Sequence, residues 1–204
     1  MTMKIQPICP FSFGANTYLL ISGTHALVVD PSTSVESILT AANETGATLE
    51  GILLTHGHFD HVLSAEMLHE KTGAPVLIHR GDGDMLTDSD KNAHRLFFGK
   101  DRTFGAADRL LDDGETLTLG NESIRVMSTP GHSLGSCCFV TDDFIITGDT
   151  IFAEGYGRVD LYGGNMQTLI SSLRALAKLP RNLVIYPGHG DSSTLGDALS
   201  KLGL

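Results

Sequence analysis

The sequence predicts an α/β protein in which helices lie outside layered sheet. Short apolar runs such as Ala26-Leu27-Val28-Val29, Ile52-Leu53-Leu54 and Val76-Leu77-Ile78 read as buried strands. Between them, apolar residues recur at three-to-four spacing, first at Val35, Ile38, Leu39 and Ala42, which reads as a helix face. Strand, helix, strand in that order is the pattern of helices packed on a sheet.

The elements follow in order. Asn16 to Ser22 is β-rich, Gly23-Thr24 turns, and Ala26 to Val29 ends at Asp30-Pro31, which reads as a hairpin. A helix capped by Ser32, Thr33 or Ser34 runs to Gly46, and the strand Gly51 to Leu54 follows. Val62, Ala65, Leu68 and His69 keep helical spacing up to Gly73-Ala74-Pro75, so Asp60 and His61 are expected where a helix begins. Residues 81–109 read as a partly helical excursion over the rim of a site, with aromatics at Phe97, Phe98 and Phe104. The second half repeats the theme with strands at Thr116–Leu119, Ser123–Met127, Ser136–Val140 and Phe144–Thr147. A helix over Asn165–Lys178 carries Leu169, Ile170, Leu173 and Leu176 on one face, and Leu183 to Tyr186 is a last strand.

A chain of 204 residues with 41% hydrophobic content suffices for one well-buried domain, expected over residues 1–204. Fourteen basic against 24 acidic residues give a formal charge of −10, which argues against a nucleic-acid or anionic-membrane partner. The expected partner is a small molecule. Cys9, Cys137 and Cys138 form neither a disulfide framework nor a metal clip, which points to a reducing, cytoplasmic compartment. Met1 to Pro10 lacks an apolar h-region, and no stretch approaches the length of an apolar membrane span.

The chemistry gathers after Ile52-Leu53-Leu54, in Thr55-His56-Gly57-His58-Phe59-Asp60-His61. Three imidazoles and a carboxylate within six positions are the donors that Zn²⁺ and other first-row divalent ions take when no thiolate is offered. Three later strand ends repeat the design: Thr129-Pro130-Gly131-His132, Thr147-Gly148-Asp149-Thr150 and Pro187-Gly188-His189-Gly190. Glycine beside each donor lets the backbone turn sharply. One such triplet alone is only a turn; three behind H-x-H-x-D-H make a constellation.

This ordered set resembles the metallo-β-lactamase superfamily of hydrolases, from Asp30 to His189. The resemblance implies a four-layer αββα sandwich of two mixed β-sheets with helices outside. It also implies two divalent ions, Zn²⁺ first and Fe²⁺ or Mn²⁺ compatible. His56, His58 and His132 would hold one ion, Asp60, His61 and His189 the other, and Asp149 both. Asp60 and Asp149 are thereby catalytic candidates, and Asp30 would support a ligand from behind. Two such ions lower the pKa of a bridging water enough to give hydroxide near neutral pH, so no Ser-His-Asp arrangement is needed.

Within the superfamily the layout is similar to the short bacterial glyoxalase II-like group, which implies hydrolysis of a small acyl thioester such as S-D-lactoylglutathione. The carrying stretch is Gly148 to Phe152 and Gly155 to Asp160, followed by Gly163-Gly164-Asn165. Arg158 stands where that group sets a basic residue against a glutathione carboxylate, and Tyr156 would line the substrate pocket. Longer glyoxalase II enzymes add a helical C-terminal region with further glutathione contacts, which these residues do not include. The alternatives are a mononuclear iron persulfide dioxygenase, a β-lactamase and a non-catalytic metal-binding module. His79, ending the Val76 strand, is a further candidate for the same rim.

Overall fold

A computed structural model describes residues 3–8 and 14–204; Cys9 and Pro10 lie outside the described residues. The first half runs β1 (Lys4–Ile8), β2 (Thr17–Ser22), β3 (His25–Val29), α1 (Val35–Thr45), β4 (Thr48–Leu54), α2 (Ala65–Thr72), β5 (Val76–His79), α3 (His94–Phe98) and β6 (Arg109–Leu111). The second runs β7 (Thr116–Leu119), β8 (Glu122–Ser128), β9 (Cys137–Val140), β10 (Phe144–Gly148), α4 (Met166–Leu176), β11 (Val184–Pro187), β12 (Ser193–Thr194) and α5 (Leu195–Lys201). Each half makes one six-stranded sheet, ordered β1-β2-β3-β4-β5-β6 and β12-β11-β10-β9-β8-β7. Both are mixed: β3 to β6 are mutually parallel, as are β10 and β11, while the other neighbours are antiparallel.

The apolar runs are continuous because both faces of each sheet are covered. Alternate residues serve different layers, as strand pleating requires. Leu19, Val28, Ile52, Leu54 and Ile78 pack outward against Ile38 of α1 and Leu68 of α2. Their neighbours Leu20, Leu27, Val29, Leu53 and Leu77 pack inward against Ile124, Val126, Phe139 and Ile146 of the other sheet. Cys138, Val140, Ile145 and Ile185 then meet Leu169, Leu173 and Leu176 of α4 and Leu195 and Leu199 of α5. The result is helix, sheet, sheet, helix: the αββα sandwich.

Caps fall where the residue types place them. Ser34 accepts from the Ser37 N–H at the start of α1, Gly46 closes it at φ 71°, and Asn165 accepts from the Thr168 N–H at the start of α4. One expectation fails: Asp60 and His61 form a 3₁₀ turn over Phe59–His61, and α2 begins only at Ala65. The cause is competition for backbone groups. The Asp60 carbonyl accepts from the Ala15 N–H and the Ser32 hydroxyl, while the Ser64 N–H goes to the Pro31 carbonyl. The i to i+4 bond that would carry a helix through this turn is therefore not made. Strands β6 and β12 escaped the sequence pattern because they are three and two residues long. Among the described residues, no helix is long and apolar enough to cross a membrane.

Candidate metal centre

β8 and β10 both run antiparallel to β9, and β11 runs parallel to β10, so the carboxyl ends of all three lie at one edge of their sheet. β3 and β4 likewise end together in the facing sheet. Ligand sites form outside carboxyl strand ends, and here each end delivers donors: Asp30 after β3, His56 to His61 after β4, His132 after β8, Asp149 after β10 and His189 after β11. The Thr55 carbonyl accepts from the Cys137 N–H, which fastens the two sheets directly beneath the site.

The structure brings seven of the sequence-derived donors together in three overlapping groups: His56, His58 and His132; His56, His61 and Asp149; Asp60, His61 and His189. His58 Nδ1 and His56 Nε2 stand 2.8 and 3.1 Å from His132 Nε2. His189 Nε2 stands 3.2 Å from Asp60 Oδ2 and 3.7 Å from Asp149 Oδ2. The two oxygens of Asp149 face different groups, Oδ1 toward His61 Nε2 at 3.3 Å and Oδ2 toward His132 Nε2 at 3.6 Å.

The hydrogen bonds behind the rings fix which nitrogens keep lone pairs. The Arg158 carbonyl can accept only, so His132 Nδ1–H donates to it and Nε2 is left bare. Asp30 Oδ1 accepts from the Thr55 N–H, and Oδ2 accepts from both the Thr55 hydroxyl and His61 Nδ1–H. With its own proton turned to Asp30, the Thr55 oxygen is left to accept from His56 Nδ1–H at 3.2 Å. Asp30 thus orients His61 directly and His56 through Thr55, leaving both Nε2 lone pairs facing the centre. Bare nitrogens a hydrogen-bond length apart, with no proton between them, repel unless a cation sits among them. His58 Nε2, His61 Nε2 and Asp149 Oδ1 are moreover buried without a hydrogen-bond partner, which a native interior tolerates only for a reason. The donor set fits divalent metal ions.

The field fits as well. Burial holds the His56 and His58 rings neutral, His58 down to about 3, with the neighbouring imidazoles adding to the effect. At His61 burial opposes the charged form, but Asp149 and Asp30 outweigh it and push the ring well above its ordinary range. Burial opposes ionisation of Asp149 too, and His61, His132 and His189 together hold its carboxyl well below the usual carboxylate range. Positive charge is favoured at the position between His61 and Asp149.

Three supports were not read from the sequence. Asp82 is fully buried, and its carboxylate accepts from the Gly57 N–H, the Gly135 N–H and the Ser133 hydroxyl, tying the His56–His58 loop to the His132 loop. Asn16 and Tyr18 hold the His189 loop: Asn16 Nδ2 donates to the carbonyls of Pro187 and Gly190, and the Tyr18 hydroxyl donates to Pro187. An Asp in an irregular stretch and an Asn and Tyr at a strand start carry no spacing signal. The fold alone assembles them.

A cavity of about 500 Å³ opens over the donors. Phe59, Phe97, Phe98, Phe152, Leu161 and Arg158 line it, so the excursion does reach the rim. Phe97 and Phe98 are half exposed there rather than in the core. Arg158 packs over the Phe97 ring at 5.7 Å and makes a two-pronged ion pair with Asp160 at 2.6 and 2.7 Å. Tyr156 does not line the cavity: the chain closes on Asp149 at the next residue, where the Gly157 N–H donates to the Asp149 carbonyl, and Tyr156 is left 42% exposed. His79 is also outside; its Nδ1 accepts from the Gly81 N–H, so Nε2–H donates to the Ser128 hydroxyl.

Comparison with known proteins agrees with this geometry. A family model described as the metallo-beta-lactamase superfamily matches residues 12–189. The probable metallo-hydrolase YqgX of Bacillus subtilis (strain 168) is 36% identical over 193 residues, 93% of this chain and 90% of its own. Among solved structures, the BLEG-1 B3 metallo-beta-lactamase is similar at a TM-score of 0.89 and 30% identity, covering 97% of each chain. TTHA1623 in a di-iron-bound form is similar at 0.85 and 31%, covering 96% of this chain and 98% of that one.

Proposed function

The chain belongs to the metallo-beta-lactamase superfamily, and from that premise we propose that it is a two-metal hydrolase of small acyl thioesters, with S-D-lactoylglutathione the first substrate to try. The observation that carries this reading is the cavity wall. Beyond the seven donors, the described residues lining it present aromatic and aliphatic surface and one guanidinium, with no carboxyl, imidazole or thiol to hand a proton to a leaving group. A thiolate departs without prior protonation, whereas an amide nitrogen needs a placed acid. The wall thus favours thioesters over amides.

His56, His58 and His132 would hold one ion, Asp60, His61 and His189 the other, and Asp149, with an oxygen toward each group, both. Bound ions of this kind supply Lewis acidity, polarising a carbonyl oxygen and bringing the pKa of water toward neutrality. The protein's own part is to fix ring tautomers through Asp30, Thr55 and the Arg158 carbonyl, and to hold the acyl group against Phe59, Phe97 and Phe98 with water displaced. Zn²⁺ is the first metal to test; imidazole and carboxylate also accept Fe²⁺ and Mn²⁺, and the di-iron form of TTHA1623 makes iron the second.

The test is a panel on protein reconstituted with Zn²⁺: acyl thioesters including S-D-lactoylglutathione, the matching oxygen ester and amide, and nitrocefin. Thiol release from thioesters well above turnover of the amide is expected. A second reading, a β-lactamase, is favoured by the likeness to BLEG-1, and nitrocefin turnover without thiol release would put it first. One iron per chain with oxygen uptake on glutathione persulfide would instead establish the dioxygenase.

A further inference from the structure

The only cationic side chain on the wall of the cavity, among the described residues, is Arg158. On a hydrolase it would be the natural grip for an anionic end of the substrate, since a guanidinium holds a carboxylate by two parallel hydrogen bonds. Here that edge is taken. Arg158 Nε and Nη2 donate to Asp160 Oδ1 and Oδ2 at 2.6 and 2.7 Å, two residues along the same chain. The other face of the guanidinium lies over the Phe97 ring. The positive charge on the wall is therefore matched by a carboxylate the protein carries itself. The surroundings are otherwise Phe59, Phe98, Phe152 and Leu161.

From this we infer that Asp160 is a specificity-determining residue: it occupies Arg158 as an internal counter-ion and biases the site toward thioesters whose thiol portion is uncharged. The inference rests on the thioesterase reading and narrows its substrate class, ranking thioesters of neutral thiols above the anionic S-D-lactoylglutathione with which the panel begins. An incoming carboxylate meets Arg158 only by displacing Asp160 or by taking the remaining Nη edge beside another negative charge. Both Arg158 and Asp160 are half or more exposed, so the bias is moderate. Exposed ion pairs are worth little in water, and removal of the competitor is expected to change discrimination by about fivefold, within the range such pairs give. The alternative role, Asp160 holding Arg158 in readiness for an anionic substrate, makes the opposite forecast.

The experiment uses one pair of probes that differ only in charge: S-benzoyl-3-mercaptopropionate and S-benzoyl-3-mercaptopropanamide, with the full chain reconstituted with Zn²⁺. For wild type, Asp160→Asn and Arg158→Gln/Asp160→Asn, the KM ratio of carboxylate to amide substrate is measured. In parallel, calorimetry measures binding of the S-benzyl thioethers of the same two thiols, which cannot be hydrolysed. Asp160→Asn is expected to lower the carboxylate-to-amide ratio about fivefold, in KM rather than kcat and equally in the thioether dissociation constants, and the double variant to lose that gain. A ratio that stays level or rises in Asp160→Asn overturns the inference, as does a gain that persists without Arg158. If no thioester is turned over but the thioether affinities shift as stated, the thioesterase reading fails and the counter-ion role stands. If wild type and Asp160→Asn bind neither thioether, the counter-ion role falls.

Discussion

At the scale of single residues, the site depends on side chains that never face the substrate. Asp30 sits at φ 49°, a left-handed conformation that Asp and Asn tolerate better than other non-glycine residues. Its two oxygens serve three donors: the Thr55 N–H, the Thr55 hydroxyl and His61 Nδ1–H. Asp30→Asn keeps the backbone preference and takes away one acceptor, so it isolates the hydrogen-bond contribution. Zinc affinity, read by chelator competition, is expected to fall about 10-fold to 100-fold, and an unchanged affinity would show that His61 needs no support. Gly188 is constrained by approach rather than by φ. A Cβ there would stand 2.3 Å from Asp149 Oδ1 and 2.5 Å from His61 Cε1, so Gly188→Ala is expected to lose metal from the His61 side while the fold, by circular dichroism, remains. Cys137 and Cys138 show the reverse, reactive groups made inert. Burial pushes both thiols up, Cys138 to about 11, so about one part in a thousand of Cys138 is thiolate at pH 8. Peptide mapping after iodoacetamide at pH 8 should find both unmodified in native protein and alkylated in urea; alkylation of the native protein would contradict their burial.

At the scale of elements, the donors are legible in sequence and their anchoring is not. H-x-H-x-D-H, Pro-Gly-His and Gly-Asp announce themselves because the residues doing the chemistry are adjacent, each at the end of an apolar run. Asp82, Asn16 and Tyr18 lie far from the donors along the chain, and their roles arise only when β2 meets the loop after β11 and the 3₁₀ turn at Arg80–Asp82 meets the loop after β8. The same holds for the start of α2, where long-range partners for the Asp60 carbonyl and the Ser64 N–H override a helical pattern. Tyr18 provides a test of this strapping. Its buried hydroxyl donates to the Pro187 carbonyl, and burial raises its pKa well above the ordinary value of 10.0. The unfolded chain therefore loses this proton first as pH climbs, so the stability Tyr18 contributes is whole below pH 10 and drains away above it. Tyr18→Phe should be less stable than wild type by about 1 kcal/mol at pH 8 for the lost hydrogen bond, with the gap narrowing toward pH 11. Urea midpoints over that range decide it; two parallel curves would mean that Tyr18 does not couple ionisation to folding.

At the scale of the whole molecule, the layered α/β packing was readable because alternate strand residues serve different layers, which makes apolar runs continuous and leaves the helices amphipathic; the four-layer sandwich followed from the family resemblance. The mixed sheet order and the convergence of strand ends were not readable from pattern alone; they follow from which strands run parallel, a long-range property. That topology sets the two sheets' carboxyl ends at one rim, where donors from both halves meet. Metal should accordingly bind the folded chain and not the unfolded one, and stripping it with a chelator should lower the melting temperature, since ligand bound only to the native state stabilises it by mass action. The most direct test of the central claim is metal stoichiometry: Zn²⁺ bound per chain after reconstitution and gel filtration, for wild type and for His189→Ala, by elemental analysis. Two shared sites held by His56, His58, Asp60, His61, His132, Asp149 and His189 require two ions per wild-type chain and one in the variant, whereas a single ion in wild type, unaffected by removing His189, would contradict the account.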